Sequence, residues 1–170
     1  MTAMSSLTDA LCTNCGLCCD GTLFADVELS SRAESSRLEI LGLEIEEGDR
    51  GSDLLVQPCR ALRGKRCSIY PHRPQCCRTF ECRLLQSAQR GDVSVQQALD
   101  DISRALAQIA KVEALLAQLG AGNRRMPLKE RCQEALSKKS GGRSDMDRTQ
   151  AELETAMSSV EQTIRTIFLD

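Results

Sequence analysis

A chain of 170 residues with a formal net charge of −2 has room for one domain, or for a small domain with a helical extension, and exerts no global electrostatic pull on nucleic acid. Its aromatic residues are Phe24, Tyr70, Phe80 and Phe168 alone, so much of the buried area that rings normally supply is missing. Ten cysteines stand against that deficit, nine of them before residue 83. In a small domain, metal ligation can do the work of core area.

Residues 1–11 have no basic start followed by an apolar stretch, so no secretory signal is expected. No window approaches the roughly 18 apolar residues of a membrane span. The expectation is a cytoplasmic chain with reduced thiols, where clustered cysteines bind metal or do redox chemistry more often than they cross-link.

The first cysteine group, Cys12, Cys15, Cys18 and Cys19, lies in a loop with Gly16 and Gly21. Leu23, Ala25, Val27 and Leu29 alternate, which predicts a short strand over Thr22 to Leu29. Ser30 or Ser31 then caps a helix with Leu38 and Leu41 as apolar positions, ending near Gly42. Glu44 to Ser52 reads as an acidic loop, and Leu54 to Val56 as a second strand running into Pro58 and Cys59.

Pro71 and Pro74 bracket a turn, with a helical turn starting at Pro74. Phe80, Leu84 and Leu85 share one side of a short helix over Thr79 to Gln89, and Gly91-Asp92 breaks the chain. Ser94 and Gln97 form a capping-box pattern opening a long helix that Gly120 terminates. Ala98, Leu99, Ile102, Leu106, Ile109, Leu116 and Leu119 mark its apolar stripe. A further helix runs from Pro127 to about Lys138, a glycine-bearing linker covers Ser140 to Ser144, and a last helix covers Asp145 to Phe168.

The fold class is therefore mainly α, with a small irregular cysteine-rich, metal-bound core and two short β-strands. Residues 1–90 make the cysteine-cluster domain. Residues 91–170 make a helical C-terminal extension, which would carry a protein partner. No nucleic-acid or membrane partner is expected, and the oligomeric state is open.

Spacing argues for metal. Cys18 and Cys19 are neighbours, and disulfide geometry does not suit adjacent residues. A C-x2-C-x2-C run curls around one centre, and bacterial ferredoxins use it with a remote fourth cysteine to hold an iron–sulfur cluster. The second group, Cys59, Cys67, Cys76, Cys77 and Cys82, lies in a basic segment with Arg60, Arg63, Lys65, Arg66, Arg73, Arg78, Arg83 and Arg90 against Glu81 alone. Four thiolates leave a zinc or iron site with surplus negative charge, and nearby arginines offset it.

The series Cys12-x2-Cys15-x2-Cys18-Cys19, Pro58-Cys59-x2-Leu62, Cys67-x-Ile69-Tyr70 and Arg73-Pro74-x2-Cys77-Arg78-x-Phe80-x-Cys82 resembles the YkgJ-like cysteine-cluster family, named for its CxxCxxCC zinc- or iron-chelating domain. The resemblance covers about residues 12–85. It implies a bacterial metal-binding protein and, position by position, the ligands Cys12, Cys15, Cys18, Cys19, Cys59, Cys67, Cys77 and Cys82. Cys76 is an addition beside the matched Cys77, which leaves open which of the two reaches the metal. A related cysteine region is found in flagellin lysine methylases.

Eight thiols permit two four-sulfur sites or one. Four-cysteine zinc sites usually come from two C-x2-C knuckles, and the second group has none. The three-sulfur run with a remote Cys59 suits an iron–sulfur cluster of the 4Fe-4S type slightly better than Zn2+. His72 is read as a turn residue, Cys132 as a buried inert thiol on an apolar helix face, and Tyr70 and Phe80 as packing beside the metal loops.

Nothing in the chain requires catalysis. It has no Ser-His-Asp set, phosphate loop or dinucleotide fingerprint. The leading reading is a metal-binding protein with a structural or electron-handling role. The alternatives are a metal-dependent modifying enzyme or accessory subunit using S-adenosylmethionine, by analogy with the methylases, and a thiol redox sensor.

Overall fold

The computed structural model describes residues 6–49, 51–138 and 144–169. The chain is mainly helical, with two small antiparallel sheets. It divides into two compact units that interleave along the sequence. A helical unit takes Met1–Cys15, Cys82–Arg124 and Leu128–Asp170; a sheet unit takes Gly16–Glu81 and Arg125–Pro127. These compact units do not coincide with the 1–90 and 91–170 division of the sequence, because the first helix clusters with the C-terminal ones.

In the helical unit, α1 (Leu7–Cys15) packs on α4 (Arg83–Arg90) and α5 (Val95–Gln118). α6 (Leu128–Ser137) and α7 (Ser144–Thr163) complete it, and the chain ends in a π-helical stretch, Ile164–Leu169. The α5–α7 contact is the largest, and their stripes supply Ala98, Ile102, Ile109, Val112, Leu116, Leu153, Met157 and Val160 to the core. Ser94 and Gln97 form the reciprocal capping box that starts α5. The linker expected at 140–144 lies outside the described residues except for Ser144, where α7 begins.

In the sheet unit, β1 (Asp26–Glu28), β2 (Ile45–Glu47) and β3 (Asp53–Val56) pair antiparallel with β3 in the middle. Leu55 faces Val27 on one side and Ile45 on the other, which puts all three on one face. That face packs with Leu38 of α2 (Arg32–Ile40), together with Leu29, Leu43 and Ala61, into the unit's core. The first strand is shorter than the Thr22 to Leu29 expected. The supposed loop over Glu44 to Ser52 contains β2, because its acidic residues lie on an edge strand whose only inward apolar residue is Ile45.

A second hairpin, β4 (Leu62–Arg63) and β5 (Arg66–Cys67), went unpredicted. Its two-residue turn is Gly64-Lys65, with Gly64 at φ +61°. Glycine at the first central position is what such a turn requires. After a short 3-10 turn, Tyr70–His72, comes α3 (Gln75–Thr79). α3 is the helical turn expected at Pro74, and the helix expected over Thr79 to Gln89 starts later, as α4, because Phe80 turns to extended backbone.

A candidate metal centre

The division into units also divides the cysteines. Cys12 and Cys15 are three apart on α1, and Cys82 is the N-cap residue of α4, all in the helical unit. Cys18, Cys19, Cys59, Cys67, Cys76 and Cys77 belong to the sheet unit. No disulfide joins the cysteines, and Cys132 alone among them is buried.

Local structure brings the sheet-unit thiols together from four segments. Gly16, at φ +79°, ends α1 and turns the chain back toward the hairpin, where its α-carbon passes so close to Lys65 that a Cβ would stand 3.4 Å from the Lys65 Cα. The turn that follows carries Cys18 and Cys19, whose sulfurs are 3.9 Å apart. The Cys59 amide donates to the Cys19 carbonyl at 2.8 Å, clipping the Pro58-Cys59 segment onto this turn. The hairpin puts Leu62 opposite Cys67, so Cys67 sits beside Cys59 at its base. α3 carries the second adjacent pair, Cys76 and Cys77, with sulfurs 4.0 Å apart.

Cys76 and Cys77 face different ways. Cys76 packs on the apolar core of the unit with Cys59 and Cys67, and its charged neighbour is Glu34. Cys77 lies within electrostatic reach of Cys59 and Cys18, and Cys19 within reach of Cys77 and Cys59. Cys19 and Cys77 thus each interact with Cys59, and Cys18 with Cys19 and Cys77.

The thiols are electrostatically unequal. A hydrogen bond shared with Cys19 holds the Cys18 thiol below its ordinary value against burial, with Arg73 adding to the effect, and the same bond pushes Cys19 up. The bond shared with Cys77 likewise draws Cys76 down to about 7 while Cys77 is pushed up. Burial pushes Cys59 up, although its sulfur faces the N–H groups of Ala61 and Leu62 and the Arg63 side chain, all of which favour its thiolate. In each pair one thiol is thus eased toward its thiolate and the other held toward its neutral form, which a bound cation would counter.

The donor set fits a thiophilic ion. Four sulfurs at about 2.3 Å from zinc in a tetrahedron stand about 3.8 Å from each other, and the two adjacent pairs are already at that edge length. Among the described residues, no three His, Cys, Asp or Glu side chains are closed into a metal-holding group. The thiols are gathered as pairs, and drawing the pairs onto one ion takes a further side-chain movement.

Around the thiols, Arg73 stacks on the Tyr70 ring, its guanidinium carbon 3.6 Å from the ring centroid. It donates to the Tyr70 and Cys77 carbonyls. Arg78 donates to the Arg73 carbonyl. Phe80 meets Phe24 edge to face at 5.1 Å. Tyr70 and Phe80, expected as core residues beside the metal loops, are both exposed, Tyr70 under the Arg73 guanidinium and Phe80 against Phe24. Cys132 is buried in the helical unit, as its helix face predicts.

The site residue that spacing did not disclose is Glu34. Ser31-x-x-Glu34 has the form of a capping box, and Ser31 does cap α2. The reach of the Glu34 carboxylate to α3, 41 residues on, has no signature in the sequence.

A family model described as "CxxCxxCC: Putative zinc- or iron-chelating domain" matches residues 11–102. No curated protein and no solved structure matches the chain. No helix among the described residues is long and apolar enough to cross a membrane.

Proposed function

Because the chain belongs to the family of the CxxCxxCC zinc- or iron-chelating domain, we propose that its sheet unit holds a single zinc or iron ion through Cys18, Cys19, Cys59 and Cys77. The observation that carries this reading is the approach of Cys77 and Cys19 to Cys59 from separate segments, so that one ion would tie three stretches of chain together. The Cys18–Cys19 separation, at the edge length of a four-sulfur tetrahedron, favours one ion. A 4Fe-4S cluster binds one thiolate per iron and spaces them more widely.

When bound, the ion supplies the positive charge that keeps the thiolates ionised and a cross-link that feeds into folding. The chain supplies the rest. Ala61 and Leu62 N–H groups face the Cys59 sulfur, Arg63 and Arg73 offset residual negative charge, and Gly16 lets the Cys18-Cys19 turn approach the hairpin. Cys67, beside Cys59, is the reserve ligand of this centre. Cys12, Cys15 and Cys82 form a second thiol set in the helical unit. The metal's role is structural, in a reducing compartment such as the cytoplasm, with the helical unit presenting the module to a partner protein.

The test is anaerobic purification followed by metal analysis, sulfide analysis and an absorption spectrum. Stoichiometric zinc or iron, lost in Cys59→Ser, is the expected result. A brown protein with acid-labile sulfide would replace the single ion by a cluster. Metal-free protein that folds cooperatively with every thiol titratable would end the metal reading altogether.

A further inference from the structure

α3 is a five-residue helix, and its N-cap, Pro74, makes no side-chain capping bond. So short a helix has no stability of its own in water, since nucleation costs more than one turn returns. It nevertheless carries both Cys76, which packs on the apolar core, and Cys77, which lies within reach of Cys59 and Cys18. Something must hold it.

The Glu34 carboxylate is placed to do so. Glu34 sits in the first turn of α2 and is only 7% exposed, in a chain where buried charge is rare. Its two oxygens divide their work. Oε2 accepts from the Ser30 amide at 3.0 Å and the Ser30 hydroxyl at 2.7 Å, fixing the carboxylate to its own helix start. Oε1 accepts from the Gln75 amide at 2.8 Å, one of the N–H groups that a helix start leaves without a partner. An ordinary capping box turns the glutamate back on its own N-cap amide. Here it is turned onto another helix.

We propose that Glu34 is a positioning residue for the thiol pair on α3. By holding the Gln75 amide it sets the rotation that points Cys77 at Cys59 and Cys18 and Cys76 at the apolar core. The inference rests on the metal reading for its consequence, but the tether can be tested without metal. Arg37, 3.8 Å from Oε1 and more than half exposed, is a peripheral partner.

Three variants separate the contributions. Glu34→Gln keeps an oxygen acceptor for the Gln75 amide without the charge, Glu34→Ala removes the acceptor, and Arg37→Ala removes only the peripheral cation. In metal-free, reduced full-length protein, Glu34→Ala should speed hydrogen exchange at the Gln75 amide. It should also change the alkylation rates of Cys76 and Cys77, while Cys59 and the amides of α5 keep wild-type behaviour. In the metal-loaded protein the same variant should retain zinc about 10- to 100-fold less tightly against a competing chelator, the usual effect of losing a residue that orients a ligand. Glu34→Gln should restore most of both effects, and Arg37→Ala should show neither.

Unchanged Gln75 exchange in Glu34→Ala would overturn the proposal, as would equal loss of protection throughout the sheet unit, which marks general destabilisation. A Glu34→Gln variant as impaired as Glu34→Ala would overturn it too, since the hydrogen bond would then not be the agent. If the wild-type protein takes up no metal, the metal reading fails, while the exchange and alkylation results still decide the tether.

Discussion

Gly21 sits at φ +80°, and a Cβ built there would lie 3.1 Å from both the Pro127 Cα and the Pro58 Cγ. Two of the atoms it meets belong to a proline ring beside Cys59, so neither conformation nor space admits a side chain. Gly21→Ala should destabilise the sheet unit by about 1–3 kcal/mol through strained backbone, read as a lower urea midpoint with unchanged slope. At the same scale, burial pushes the Cys132 thiol up to about 11 from an ordinary value of 9.0. At pH 8 its thiolate fraction is then roughly a hundredfold below that of an ordinary thiol. Cys132, the one buried cysteine, should be alkylated by iodoacetamide far more slowly in native than in unfolded protein. The sign follows from the raised value: the neutral thiol's contribution to stability is complete below the ordinary value and is lost as pH rises through the folded one. Helical periodicity alone located this residue correctly, since its burial depends only on which face of α6 it occupies.

At the scale of elements, local signals were most informative where an element begins and ends on its own residues. Ser94, Gln97 and Gly120 delimit α5 as their chemistry dictates. Ser94→Ala should cost the helical unit about 1 kcal/mol, visible in its thermal midpoint. Such signals were weakest where an element depends on another. β2 is short and acidic and exists because β3 offers it a ladder; Pro74 signals the start of α3, but nothing local signals the Glu34 carboxylate that accepts from its first amide. Burial alone would push the Glu34 carboxyl up, but donors from Ser30 and Gln75, with Arg37, more than offset this and hold it below the ordinary glutamate value. Its stabilising contribution is thus fully present above about pH 4.3. It declines as acid protonates the unfolded chain first, and is gone below the depressed folded value. Acid titration of the urea midpoint should show wild-type protein losing stability as pH falls toward the depressed folded value and Glu34→Gln, which has no carboxylate to protonate, lacking that contribution.

At the scale of the whole molecule, two units with separate cores make different demands on metal. The helical unit has long apolar stripes on α5 and α7, and a buried two-point ion pair in which Arg131 donates to both Glu113 oxygens at 2.6 and 2.8 Å. The sheet unit has a five-residue apolar core ringed by half-buried thiols. Zinc at a thousand times its dissociation constant adds about 4 kcal/mol to whatever folds with it. Chelation should therefore strip exchange protection from the turn at Cys18-Cys19 and from the Cys59 segment while α5 and α7 keep theirs. Equal loss in both units would place the metal's stabilising effect elsewhere.

Cysteine spacing, caps and apolar periodicity already specified a mostly helical chain with a thiol cluster in its first half, because each of these acts over a turn or two of backbone. The grouping of the first helix with the C-terminal ones, the hairpin that seats Cys67, and the different surroundings of Cys76 and Cys77 arose from packing. Adjacent residues on a helix project about 100° apart, so spacing can name both thiols of the pair but not the direction in which the docked helix turns them.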